Sequence, residues 1–285
     1  MLIHQNKRST RSLLIKGLAK LKGKMINKAG FQQIENGPVN IHFGVHKTAT
    51  TFLQDNLCLI DDPTFQYTPL RKFREIIRRS SYLNYLGTLD WSKNVLISDE
   101  NMIGGNGTVL SGKLYPEFAV RAERYLEPFK NRSLINVYIT IRPMTSFLPS
   151  QYCEYLRRNK YLSYEDYTKK VKITKMSWFN VLNEFIEQNE DLNITVFDFN
   201  YFVDYKHLWL KELSFGLGQE FDENINPSRS SFTYQELNKL SDGEYGSNSS
   251  EKFDPHSAEE KRLSKETYCS DLAFLKSMPN VTIKP

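Results

Sequence analysis

Residues 39–57, VNIHFGVHKTATTFLQDNL, constrain the fold of this chain more than any other stretch. Val39 to Phe43 is a short β-branched run that reads as a buried strand. The run breaks at Gly44, passes through Val45, His46 and Lys47, and restarts as a helix. Leu53, Leu57 and Ile60 then recur at i, i+4 and i+7, which is one apolar face. A strand, a tight turn and a helix, with a lysine and three threonines at the junction, make the geometry of a phosphate cradle. The first N–H groups of such a helix have no partner within it and point at a bound anion. The helix dipole favours negative charge there, and Lys47 adds a point charge. The hydroxyls of Thr48, Thr50 and Thr51 are further donors.

The rest of the chain alternates strand and helix patterns. Residues 94–98 (NVLIS) read as a second buried strand, ending in Asp99, Glu100 and Asn101. Phe118, Ala122, Tyr125, Leu126 and Phe129 form the apolar face of a helix. Residues 134–141 (LINVYITI) are the most β-rich run and end in Arg142 and Pro143. A helix over 145–158 follows, with Pro149 kinking it or marking its first turn. Further helices are expected around 178–186 and 202–217, and a fourth strand over 192–197. Ser257 and Glu260 form a capping box opening a last helix that runs to Met278. The stretch 61–91, with Arg71, Lys72, Arg74, Arg78 and Arg79, is expected to be partly helical and to border the site. The alternation predicts an α/β fold: three layers, a central parallel sheet of four to five strands, helices on both faces. In such sheets ligands bind beyond the carboxyl ends of the strands, which places Asp99 and Glu100 well.

The loop is not a Walker A motif, which needs a glycine directly before its lysine; here His46 precedes Lys47. The segment Lys47-Thr48-Ala49-Thr50-Thr51 instead resembles the phosphosulfate loop, K-[ST]-G-T-T, of sulfotransferases that use 3′-phosphoadenosine-5′-phosphosulfate (PAPS). Ala49 stands where that family usually has glycine. If the position requires φ > 0, the alanine is strained by roughly 1 kcal/mol or more. Arg142, at the end of a strand, and Ser150, eight residues on, resemble the pair that holds the 3′-phosphate in the same family. A guanidinium bonds phosphate in bidentate fashion and a hydroxyl adds a donor. The end of the second strand and the pattern Tyr268, Asp271, Leu275 resemble the bacterial-type, carbohydrate-directed branch.

The resemblance implies a P-loop-like fold and transfer of a sulfonate from PAPS to a hydroxyl, that of a glycan by family likeness alone, with 3′-phosphoadenosine-5′-phosphate as product. Lys47 would stabilise the charge developing on the bridging oxygen. Lys47, Thr48, Ala49, Thr50 and Thr51 would hold the sulfonate and 5′-phosphate, and Arg142 and Ser150 the 3′-phosphate. No metal is expected. The base stays open: Glu100 matches a family glutamate by position, His46 is a rival with a suitable pKa, and Asp99 is a neighbour that could exchange roles. His42 is expected to be a core histidine, Phe52 to stack on a cofactor ring or pack in the core, and Arg229 to be a surface residue or a late 3′-phosphate ligand. Two other readings compete: a nucleotide-dependent kinase, and a non-catalytic nucleotide- or glycan-binding protein.

Charge separates the chain into a basic arm, 1–35, and one domain, 36–285. Residues 1–30 carry Lys7, Arg8, Arg11, Lys16, Lys20, Lys22, Lys24 and Lys28 and no acid, whereas the whole chain has a net charge of only +5. The domain is therefore mildly acidic, and nucleic acid is not an expected partner. Leu13, Leu14, Leu18 and Leu21 make a sparse stripe between the arm's bases, which suits either peripheral contact with anionic lipid or a frayed extension. No apolar run approaches the ~20 residues of a membrane span, and no signal peptide is evident. Cys58, Cys153 and Cys269 are odd in number and far apart, which fits a reducing compartment. The expected location is the cytoplasm, with the inner face of the membrane as the surface the arm would touch.

Overall fold

The computed structural model describes residues 37–105, 109–130, 134–217, 222, 231–245 and 249–285. The basic arm, Arg229 and most of its loop lie outside these residues. The strands are β1 (Val39–Gly44), β2 (Phe65–Tyr67), β3 (Asn94–Ser98), β4 (Ile135–Ile141), β5 (Asn193–Asp198) and β6 (Val281–Lys284). The helices are α1 (Thr50–Leu57), α2 (Leu70–Arg79), α3 (Tyr82–Leu86), α4 (Phe118–Leu126), α5 (Met144–Leu156), α6 (Tyr164–Thr168), α7 (Trp178–Glu187), α8 (Phe202–Leu213), α9 (Tyr234–Leu240) and α10 (Ala258–Ser277).

All strand pairs are parallel, in the order β2-β3-β1-β4-β5-β6. The α/β architecture with helices on both faces agrees with the sequence pattern. The sheet is wider than the expected four to five strands, because the short β2 and β6 add an edge on each side. Successive residues of each strand point to opposite faces. Val39, Ile41 and Phe43 of β1, with Val137, Ile139 and Ile141 of β4, enter the larger core, which α4, α5, α7 and α10 cover. The opposite face carries Leu96, Tyr138 and Phe197 and packs against Leu53 and Leu57 of α1 and Trp209, Leu210 and Leu213 of α8. This second face also buries polar groups that satisfy one another. Asn40 donates to the carbonyls of Glu212 and Leu213, and His42 bonds the hydroxyls of Ser98 (2.9 Å) and Thr140 (3.4 Å). Burial lowers the His42 pKa to about 4, so it is a neutral core histidine, as expected.

The sheet topology fixes where a ligand can enter. From β1 the chain passes to the β2 and β3 side, and from β4 to the β5 and β6 side. The helix after β1 packs on one face of the sheet and the helix after β4 on the other. The two connections diverge and leave a crevice beyond the carboxyl ends of β1 and β4, the switch point of the sheet.

The last helix braces that crevice from behind. Ser257 and Glu260 make the expected capping box, reciprocally bonding each other's backbone N–H groups. One oxygen of Asp271 accepts from the Ser177 hydroxyl (2.6 Å) and the other from the Trp178 N–H (2.7 Å), so α10 caps the start of α7. The Trp178 indole N–H donates to the carbonyl of Arg142 at 2.6 Å. Replacing Asp271 by Ala strands two donors at a site where the carboxylate is only 4% exposed. The expected loss is about 2 kcal/mol, read as a lower midpoint in urea, with Asn in its place losing less.

Candidate functional site

β1 and α1 approach so closely that Gly44 has no room for a side chain. A Cβ there would lie 2.3 Å from Cγ2 of Thr50. Between them the backbone reverses through two L-residues in the left-handed region, Lys47 at φ 66° and Ala49 at φ 55°. Thr48, between them, does not have a positive φ. Such alternation in the sign of φ turns successive N–H groups towards one side and makes a concave anion-binding nest. The unpaired N–H groups of the first turn of α1 extend it. Ala49 therefore occupies the kind of backbone that glycine adopts without strain.

The loop side chains divide. The Thr48 hydroxyl is fully buried and donates to the carbonyl of Val45 at 2.6 Å, so it clamps the loop from within. Thr50 is buried beneath the first turn, and Thr51 is exposed at the start of α1. Phe52 packs edge-on against Phe202 at 6.0 Å between ring centroids. The Lys47 ammonium lies 3.9 Å from Glu154 on α5. Burial lowers its pKa, while Glu154 opposes that shift.

Arg142 reaches across from the end of β4 and donates to the Lys47 carbonyl. Its Nε donates to the Ser146 hydroxyl at 2.8 Å, and its guanidinium lies 4.8 Å from the centre of the Phe199 ring. Burial pulls the guanidinium down to about 10, which leaves it a cation at neutral pH. The structure joins Arg142 to the expected loop but pairs it with Ser146, not Ser150. Ser150 is buried one helical turn further along the same face of α5.

The other wall is built from the end of β3. Asp99 caps the turn after that strand through the Asn101 N–H (2.9 Å) and is gripped by Arg74 of α2. Arg74 also holds Oε1 of Glu100 at 3.0 Å. The second Glu100 oxygen, Oε2, is buried without a hydrogen-bond partner. Burial raises the Glu100 pKa, but Arg74 and His46 outweigh it and the net direction is down, so the group is a carboxylate at neutral pH.

His46 is engaged at both ring nitrogens. Its Nδ1 and its backbone N–H meet the Tyr115 hydroxyl at 3.0 and 3.2 Å. With the Asn101 amide turned to satisfy its neighbours, its nitrogen donates to His46 Nε2 (3.1 Å) and its oxygen accepts from Arg74 (2.8 Å). Burial lowers the His46 pKa, Glu100 opposing, and the ring is neutral at pH 7.

Lys47, Arg142, His46 and Glu100 thus line one crevice. Sequence reasoning missed Glu154, Ser146, Asn101 and Tyr115, which carry no motif. It placed Arg74 among the five bases of a stretch bordering the site, and only its packing singles it out. A cavity of about 490 Å³ rimmed by Lys113, Lys170, Lys172 and Lys175 lies beside the loop that carries Tyr115, but no candidate site residue lines it. Among the described residues no cluster of three or more His, Cys, Asp or Glu is placed to hold a metal ion. No helix among them is long and apolar enough to cross a membrane.

No family model matches the sequence, and no curated protein does. A solved structure, the sulfotransferase from Alicyclobacillus acidocaldarius, aligns over 86% of this chain and 96% of its own at 12% identity and a TM-score of 0.46. At that identity and score the likeness decides neither the fold nor the chemistry, and the site stands on its own geometry.

Ala49→Gly should relieve the left-handed strain, about 1–2 kcal/mol, against about 0.5–1 kcal/mol of added unfolded-state entropy. The expected outcome is a small net gain in stability, seen as a higher melting temperature without loss of anion binding.

Proposed function

We propose that this chain is a sulfotransferase that takes a sulfonate from PAPS and delivers it to a hydroxyl acceptor, with a glycan as the acceptor class. The observation that carries the reading is the pair of left-handed residues, Lys47 and Ala49, locked by Arg142 from the neighbouring strand. That nest suits an anion of several oxygens, and a second cation at the switch point suits a second anionic group. PAPS carries both, one at each end of its ribose.

The residues present fit the group. Backbone N–H groups of the nest and the first turn of α1, with Thr51, would hold the 5′-phosphosulfate. Arg142, backed by Ser146 and Ser150, would hold the 3′-phosphate. PAPS supplies an activated sulfur whose bond to the bridging phosphate oxygen breaks as the acceptor oxygen bonds to it. Lys47 stabilises the charge that gathers on that bridging oxygen, an interaction stronger in the transition state than before it. Glu100 takes the acceptor's proton on Oε2, the oxygen that Arg74 leaves without a partner. His46, held by Tyr115 and Asn101, orients this wall and keeps Asn101 against Arg74. Arg74 lowers the basicity of Glu100, so the carboxylate is ready at neutral pH but must gain basicity from water exclusion when the acceptor binds.

Binding of 3′-phosphoadenosine-5′-phosphate and of adenosine 5′-phosphosulfate, which lacks the 3′-phosphate, tests the reading by calorimetry. Arg142→Ala should weaken the bisphosphate by roughly 2–4 kcal/mol and leave the monophosphosulfate nearly unchanged. Equal losses would make Arg142 a structural residue. Preferential binding of ATP with Mg²⁺ would favour a kinase. In turnover assays, Lys47→Ala should lower kcat by about 10²-fold or more, and Glu100→Gln should abolish most activity while bisphosphate binding persists. Wild-type turnover in Glu100→Gln, with loss in His46→Gln, would transfer the role of base to the histidine.

A further inference from the structure

We propose that Glu154 is a positioning residue for the phosphate-loop lysine. It docks the Lys47 ammonium and keeps it charged in the free enzyme, until the anion of the cosubstrate takes the place of the carboxylate. This rests on the sulfotransferase reading for the identity of that anion, but the docking stands on this chain's residues alone.

Glu154 is only 3% exposed, on the face of α5 that carries Ser146 and Ser150 towards the loop. A carboxylate is buried only where cations compensate it. Among the described residues, Glu154 has three within reach: Arg158 at 2.8 Å, Arg157 at 3.4 Å and Lys47 at 3.9 Å. The two arginines directly follow its own helix and would satisfy it without help. Lys47 comes from a different element, and its backbone is already fixed by the left-handed φ and by Arg142. With the backbone held, the direction of the lysine stem is set by what its far end meets, and Glu154 is the acid it meets among the described residues.

The charges around Lys47 show why such a partner is needed. Burial opposes its protonation most strongly, and Arg157 after α5 and Arg142 after β4 oppose it too; Glu154, then Cys153, favour it. Without the carboxylate, a buried ammonium would face two guanidiniums. A neutral amine could not stabilise charge on a leaving oxygen. Once a sulfonate and phosphate sit in the nest, their negative charge replaces what Glu154 supplied, and the ammonium is free to swing to them.

The sign of the pH effect follows. Removing the carboxylate lowers the Lys47 pKa further, so the lysine loses its proton at a lower pH in the free enzyme. The acylation rate of Lys47 by acetic anhydride, measured against pH by peptide mass spectrometry, reports that proton directly. In Glu154→Gln the midpoint should move down by roughly one pH unit or more. Saturating 3′-phosphoadenosine-5′-phosphate should move it back up, and Glu154→Asp should lie between wild type and Gln. In turnover, the alkaline limb of kcat/KM, which reports the free enzyme, should shift more than that of kcat, which reports the complex. A midpoint unchanged in Glu154→Gln overturns the proposal. Should that variant fail to fold, Glu154→Asp decides in its place, and a midpoint and kcat/KM limb identical to wild type overturn it equally. A midpoint that moves with Glu154 but never with the bisphosphate removes the sulfotransferase reading and the exchange, and leaves Glu154 as the electrostatic partner of Lys47 alone.

Discussion

The bond from the Arg142 guanidinium to the Lys47 carbonyl is the contact on which the site depends. Residues 47–49 adopt a backbone that L-amino acids avoid, at about 1–2 kcal/mol for each left-handed residue. Such a loop keeps its shape only if its surroundings over-determine it. Gly44 allows α1 to close on β1, Thr48 ties the loop to Val45 from inside, and Arg142 holds it from the neighbouring strand. Arg142 is itself held at three places, by Ser146, by the Phe199 ring and by the Trp178 indole on its carbonyl. Trp178 depends in turn on Asp271. A line of hydrogen bonds therefore runs from α10, near the end of the chain, to an anion nest near its beginning.

This arrangement follows from the topology of the sheet. β1 and β4 are hydrogen-bonded neighbours, yet the helices that follow them leave for opposite faces. The loop after β1 and the arginine after β4 must then face each other across the crevice. Here the chain leaves β1 towards β2 and β4 towards β5, so loop strain and cations coincide at the switch point of the sheet. The cost of two left-handed residues is met by packing that the fold supplies for its own reasons.

The charges fall into two groups, one with an excess of cations and one with an excess of acids. On the α5 side, Glu154 sits among Lys47, Arg157 and Arg158. On the β3 side, Arg74 bridges Asp99 and Glu100. Each carboxylate near the loop touches a guanidinium, Asp99 and Glu100 sharing that of Arg74, which lowers the cost of burying acids there. One oxygen of this group, Oε2 of Glu100, is buried without a hydrogen-bond partner.

The sequence alone determined the elements whose signals are local. β1, β3, β4 and β5 were legible because their β-branched runs are long enough to show, and α10 because Ser257 and Glu260 cap it through contacts three residues apart. β2 and β6 were not, since three or four residues at a sheet edge carry no readable period. The loop 47–51 and Arg142 were legible through their resemblance to a family motif and their place at strand ends. Which partner each side chain takes was decided only by tertiary packing. Ser146 rather than Ser150 meets Arg142, Arg74 turns inward from a helix of otherwise exposed bases, and Glu154 meets a lysine 107 residues away in sequence. Periodicity and caps are properties of neighbours along the chain; an ion pair across a crevice exists only once two helices have been placed on opposite faces of one sheet.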